Sequence, residues 1–264
     1  MPIQDRLFKL LNKLDYEELE YIVEKGLKKP DLIKEKMEYT QLVNLVSKTL
    51  RKTASHTFVN AFRLEHEFPY KQILINVVNK LQGYKTIYRL DDDHSEEEIE
   101  EKIIQLFEER SRKWWESLKS WQKRKVIDDI NDMIESDLVH EVNKKMLIKQ
   151  RVTKEVMDTI VAKGVVVSLV MVSAGGLLGL FGLSVLDKYG WRIVTMFAGW
   201  TTGIEIFLSS GMAFFTFTGA LGIGLPIWIG SSIIYENGPR YNKIIPTIIM
   251  LLSKTRNKTV RIYE

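Results

Sequence analysis

The sequence predicts an all-α protein in unequal parts: a soluble helical N-terminal body, then a hydrophobic glycine-rich helical hairpin and a basic tail. Three observations predict it. Apolar residues in the first 163 positions recur at helical spacing, without strand alternation or a fixed-period repeat. Charge then disappears: the 23 residues 164–186 carry no ionisable side chain, and after the polar break 187–192 the run 193–235 carries only Glu205. An α-helix rises about 1.5 Å per residue and a bilayer core is about 30 Å thick, so roughly 20 apolar residues suffice to cross it. Finally, residues 1–163 hold 30 Lys/Arg against 30 Asp/Glu, so the whole +4 excess lies beyond them. It sits in Arg240, Lys243, Lys254, Arg256, Lys258 and Arg261, facing only Glu236 and Glu264, and points to a membrane flank or anionic lipid before nucleic acid.

Taken in order, Ile3, Leu7, Leu10, Leu11 and Leu14 form one helical stripe. Asp15 with Glu18 reads as a capping pair that opens a second helix, striped by Leu19, Ile22 and Val23 and ended by Gly26 and Pro30. Further stripes are Leu42, Leu45, Val46 and Leu50, then Phe58, Val59 and Phe62, then Ile73, Leu74, Val77, Val78 and Leu81, with Gly83 as a stop. Residues 84–93 lack helical pattern and mark a subdomain boundary, giving a short-helix subdomain over 1–83 and a longer-helix subdomain over 84–160. Ser95 with Glu98 makes a second capping box, opening a long helix through Ile99, Ile103, Leu106, Phe107, Trp114 and Leu118. Stripes at Val126, Ile127, Ile130, Met133 and Ile134, then Leu138, Val139, Val142 and Met146, complete the body.

The hairpin occupies residues 161–235. Gly175 with Gly179, and Gly199 with Gly203, are small-xxx-small pairs that let helix backbones approach closely in lipid, within the chain or between copies in a homo-oligomer. Tyr189 and Trp191 flank the polar break, and Trp228 and Tyr235 lie near the far end, positions suited to the headgroup level. Glu205 is costly inside a span, so it faces a neighbouring helix or marks an interfacial boundary between two shorter segments. The basic tail, 236–264, opens on the stop Asn237-Gly238-Pro239 and carries an apolar run at 244–252, interrupted by Pro246. That run is too short to span, so an interfacial or re-entrant helix is expected, with Arg240, Lys243, Lys254 and Arg256 facing lipid. Two rival readings bury the hairpin in protein, as a segment released on demand or as a permanent core; its length favours membrane insertion, since a buried core helix averages about 11–12 residues.

Catalytic chemistry finds no foothold. The chain has no cysteine, which excludes disulfides, thiolate metal sites and cysteine nucleophiles. His56, His66, His94 and His140 are not paired at metal spacing. Asp91-Asp92-Asp93-His94-Ser95 resembles the start of a calcium loop, but Glu96 stands where glycine is needed and Lys102 where the bidentate glutamate belongs. Walker, nucleophile-elbow and Rossmann patterns are absent, and Gly222 and Gly224 lie within an apolar run. Trp114 and Trp115 beside Arg110, Arg112 and Lys113 offer stacking surfaces for a base, yet adjacent aromatics on an amphipathic helix read better as half core and half interface. The expectation is a non-enzymatic protein with no cofactor, no metal and no nucleic-acid partner. The N-terminus is amphipathic and lacks the uninterrupted apolar stretch of a secretory signal, which keeps the body cytoplasmic.

The order of features resembles the YaaW-like family of bacterial proteins. The opening helix with LDYEELEYIVE, the segment FPYKQILINVVNKLQ with its acidic loop, the glycine-rich apolar region and the closing NGPRYNKIIPTIIMLLSKTR carry the resemblance, most specifically Gly238-Pro239, Tyr241 and Ile245-Pro246. It implies a bacterial protein, classified near the ubiquinol-cytochrome c chaperones, and supplies no catalytic residues. The expected function is an inner-membrane helical protein whose cytoplasmic body binds a protein partner while the hairpin anchors or assembles in the bilayer. The alternatives are a conditional membrane-permeabilising effector and an assembly chaperone for a membrane complex.

Overall fold

Two capping boxes open helices where the sequence places them. Asp15 Oδ1 accepts from the Glu18 amide at 2.9 Å and Glu18 Oε2 from the Asp15 amide at 2.8 Å; Ser95 and Glu98 repeat the exchange. A computed structural model describes residues 5–34, 37–55, 68–82, 94–138, 152–168, 193–198 and 241–260. Within them lie helices α1 (Arg6–Leu11), α2 (Tyr16–Tyr21), α3 (Tyr39–Ser55), α4 (Tyr70–Gln82), α5 (Glu96–Ser117), α6 (Ser120–Leu138), α7 (Lys154–Lys163) and α8 (Tyr241–Val260). A π-helical turn, Ile22–Gly26, continues α2, and a 3₁₀ turn spans Pro30–Leu32. No strand occurs among the described residues, and the protein is all-α there. The stripes expected at Phe58–Phe62 and Val139–Met146, the loop 84–93 and most of the hairpin lie outside them.

The predicted stripes bury as helical spacing requires. Leu7, Leu10 and Leu11 of α1, Leu42, Val46 and Leu50 of α3, Ile73, Leu74, Val77 and Val78 of α4, and Ile99, Ile103 and Phe107 of α5 enter one continuous core. Residues on both sides of the 83/84 division share it, and α4 packs along α5.

The tail departs most from expectation. Rather than lying at an interface, α8 is a core helix of the body, packed against α1, α3, α4, α5 and the π-helical turn. Ile244, Ile245, Ile248, Ile249, Met250, Leu251 and Leu252 are all at most 2% exposed. Fully burying such a side chain is worth about 1.5–3 kcal/mol, so these residues contribute on the order of 10–20 kcal/mol, a quantity comparable to a whole domain's stability. The helix runs through Pro246 because that packing outweighs the roughly 3 kcal/mol cost of an interior proline. Where α8 crosses the π-helical turn, contact is close enough to demand glycine: a Cβ on Gly26 would lie 2.7 Å from Thr247 Oγ1.

Two arginines knit the helices. The Arg51 guanidinium, 1% exposed, donates to the Phe68 carbonyl at 2.6 Å, to Asp5 Oδ2 at 2.6 Å and to Ser47 Oγ at 3.2 Å, satisfying its buried donors. Arg6 grips Glu100 with two bonds, Nε to Oε1 at 2.7 Å and Nη2 to Oε2 at 2.6 Å, and also reaches Glu97. The buried Tyr70 hydroxyl donates to Glu100 Oε1 at 3.1 Å; burial, reinforced by that carboxylate, raises the tyrosine's pKa well above its ordinary value. Across α6 and α7, Asn131 exchanges both amide bonds with the Val152 backbone at 2.9 and 3.1 Å.

Candidate functional site

The features that distinguish this chain are its apolar runs, and the structure describes the residues that flank them. The first root begins at Gly164, whose φ of 102° ends α7 in a backbone region that side chains avoid. Residues 165–168 then resume a helix. Its first N–H groups need acceptors, and Glu108 of α5 supplies them: Val165 N donates at 2.5 Å, Val166 N at 2.7 Å and Val167 N at 3.4 Å. The carboxylate also offsets the positive end of the helix dipole. A Cβ at position 164 would fall 3.1 Å from the Glu108 carboxyl, a second reason for glycine there. Burial pushes the Glu108 carboxyl above its ordinary range, and the three backbone N–H groups and Arg112 pull it partly back. Ser168, fully buried, donates to the Ile160 carbonyl at 3.1 Å.

The second root is the helical stretch 193–198, where Ile193, Val194, Phe197 and Ala198 are 0% exposed. Phe197 sets its ring edge-on to Trp114, with centroids 5.3 Å apart and planes at 82°, and lies 6.4 Å from Trp115. Trp115 Nε1 donates to Asp158 Oδ1 of α7 at 2.6 Å, and Lys123 stands over the Trp115 ring at 5.1 Å. Glu108 and Trp114 are six positions apart on α5, roughly 9 Å along the helix, so both roots meet α5 within two of its turns. The third root is α8, where the chain re-enters the core.

The predicted site residues divide accordingly. Gly175, Gly179, Gly199, Gly203, Glu205 and Arg240 lie outside the described residues. Lys243 is half-buried in the first turn of α8. Lys254 and Arg256, expected to face lipid, are held within the protein: Lys254 Nζ bonds Glu18 Oε1 at 2.8 Å and Arg256 pairs with Glu101. Burying the face between them draws both cations onto the body's carboxylates. Trp114 and Trp115, read as half core and half interface, are 5% and 3% exposed, which places both in the core. No local pattern in the sequence marks Glu108; only the glycine at 164, where the charged body stops, hints at a turn needing an acceptor. Among the described residues no group of His, Cys, Asp and Glu could hold a metal ion, and no helix is long and apolar enough to cross a membrane.

No family model, no curated protein and no solved structure matches this chain.

Proposed function

We propose that this is a non-enzymatic membrane-associated helical protein of the bacterial inner membrane, its body cytoplasmic and open to a protein partner, its apolar region seated in the bilayer. One observation supports the reading: residues 165–168, residues 193–198 and α8 all belong to one body, so each long apolar run is tied to that body at both of its ends. Backbone in lipid must satisfy its hydrogen bonds internally, which means helix. The 24 residues 169–192 allow two helical legs of about 18 Å, which dip into a core of about 30 Å without crossing it. The 37 residues 199–235, before the Asn237-Gly238-Pro239 stop, allow two legs of about 28 Å, close to the thickness needed to cross and come back. In this reading the hairpin is 199–235 rather than a pairing of 164–186 with 193–235, and both chain ends stay on one side. Kinship with the YaaW-like family is proposed on the resemblance of its motifs and brings no partner with it.

The test exploits the absence of cysteine. Single cysteines at positions 2, 220 and 262 are treated with an impermeant thiol reagent outside intact cells, alongside carbonate extraction of membranes. Protection of positions 2 and 262, labelling of 220 and resistance to carbonate are expected. A chain that is monomeric and soluble without detergent, or labelling of one end alone, overturns the reading. The permeabilising alternative draws on the same roots, since 193–198 is packed in protein; loss of membrane potential on induced expression would favour it.

A further inference from the structure

Two of the four cations that the sequence assigns to lipid at the tail, Lys254 and Arg256, are paired with carboxylates of the body, while a different cluster stands open. Residues 112–125, RKWWESLKSWQKRK, hold Arg112, Lys113, Lys119, Lys123, Arg124 and Lys125 against the single carboxylate Glu116, a net +5 over the corner where α5 passes into α6. Lys113, Lys119 and Arg124 are exposed and have no ion-pair partner among the described residues. On the same corner Trp121 is 52% exposed. The other large apolar side chain that is exposed among the described residues is Val167, at the root of the first apolar run. The corner adjoins the second root directly: Lys123 lies over Trp115, and Trp115 packs on Phe197.

We propose that this α5–α6 corner is a docking surface for the headgroups of an anionic lipid bilayer, seating the body where its apolar runs depart. The proposal takes its bilayer from the membrane reading above and adds the surface and the lipid charge. An indole leaves water favourably at the headgroup level, its ring among the upper acyl chains and its N–H still solvated. Lysines and arginines flanking it reach anionic headgroups with their stems lying along apolar surface. Each such cation near an anionic surface contributes about 1 kcal/mol, which is roughly fivefold in affinity. The mixture of cations with a bare tryptophan also suits single-stranded nucleic acid. Adjacency to two apolar roots favours lipid, because a nucleic-acid groove has no need of either.

The test is vesicle flotation of the full chain, diluted from detergent onto phosphatidylcholine vesicles or onto vesicles with 30% phosphatidylglycerol, across a salt series. Wild type is compared with Lys119→Gln/Arg124→Gln, with Trp121→Ala, and with Lys9→Gln/Lys13→Gln, which removes the same charge from an exposed face of the first helical turns. Wild type is expected to prefer anionic vesicles and to lose that preference with salt. The Lys119/Arg124 variant should bind them about 25-fold more weakly, from two cations at fivefold each, and Trp121→Ala several-fold more weakly. The Lys9/Lys13 variant should match wild type. Equal loss in both double variants, no loss in either, or tight binding of a single-stranded oligonucleotide without vesicle preference overturns the proposal. Carbonate washing of the floated protein reads insertion separately. Bound protein that resists carbonate but ignores the Lys119/Arg124 change defeats the docking surface and leaves the anchor. Charge-dependent binding that carbonate strips away does the reverse.

Discussion

Gly26 and Thr247 offer a direct test of whether the chain's last helix completes its first helical unit. Alanine at 26 would place a Cβ 2.7 Å from Thr247 Oγ1, about 0.7 Å inside the 3.4 Å where ordinary contact begins. Thr247 is 1% exposed, and its β-branched side chain has little room to rotate. Overpacking of this kind costs about 1–3 kcal/mol, offset by about 0.5–1 kcal/mol from removing a flexible glycine. The expected net loss is about 1–2 kcal/mol, read as a fall in Tm of about 2–8 °C for a body of this size. Thr247→Ala removes the clashing oxygen, a buried hydroxyl with no hydrogen-bond partner, and should be close to neutral alone. The double variant should then recover most of the loss, giving a coupling energy of about 1–2 kcal/mol. Thermal melts followed by far-ultraviolet circular dichroism supply the four corners of the cycle. If Gly26→Ala is stabilising, or the two changes add to within about 0.3–0.5 kcal/mol, α8 does not cross the π-helical turn as described.

Other perturbations probe the roots and the clamps. Glu108→Gln keeps the shape of the cap but cannot ionise. Because the folded carboxyl is raised above its unfolded value, the native state holds more protons, so wild-type stability is gained as pH falls through the raised pKa and lost as pH rises. The wild-type-minus-variant difference in Tm should therefore shift toward wild type between pH 7 and pH 4.5 (roughly the unfolded value), and a flat difference would refute the buried cap. Arg6→Ala strands the Glu100 carboxylate and should cost about 3–5 kcal/mol, against about 1 kcal/mol for Tyr70→Phe, which removes one bond of three from it. Urea unfolding separates the two, and equal costs would mean that the ion pair is not the anchor.

What the sequence discloses and conceals follows from range. Both capping boxes and the stripes of α1, α3, α4 and α5 depend on neighbours three to four residues apart, and they stand where spacing puts them. The fate of 244–252 was decided by partners more than 130 positions away, from Leu7 to Phe107. A signal was present nonetheless. Ile244, Ile245, Pro246, Ile248, Ile249, Met250, Leu251 and Leu252 together are apolar around nearly the whole helix, interrupted by Thr247 alone, which a surface-lying helix does not need and a core helix does. Its flanking cations masked that signal, because a pattern cannot show that Lys254 meets Glu18. The same blindness covers Glu108, one of three glutamates in its neighbourhood with Glu101 and Glu109, whose role exists only when 165–167 arrive. The sequence shows Arg110, Arg112 and Lys113 beside Trp114 and Trp115, but the exposed aromatic of that basic corner is Trp121, and burial alone separates it from them.

The closing helix also sets a timetable. The Lys254–Glu18 pair joins residues 236 positions apart, and 97 residues separate the end of α7 from the end of α8. At about 5–20 residues per second, a ribosome needs roughly 5–20 s to make that interval. Throughout it the first 163 residues wait with an open groove where seven large apolar side chains belong, while the chain's most water-averse stretch is emerging. The body therefore cannot close before the apolar region has been delivered. A nascent chain stalled short of residue 240 should remain sensitive to protease in its N-terminal helices, becoming resistant once α8 is released.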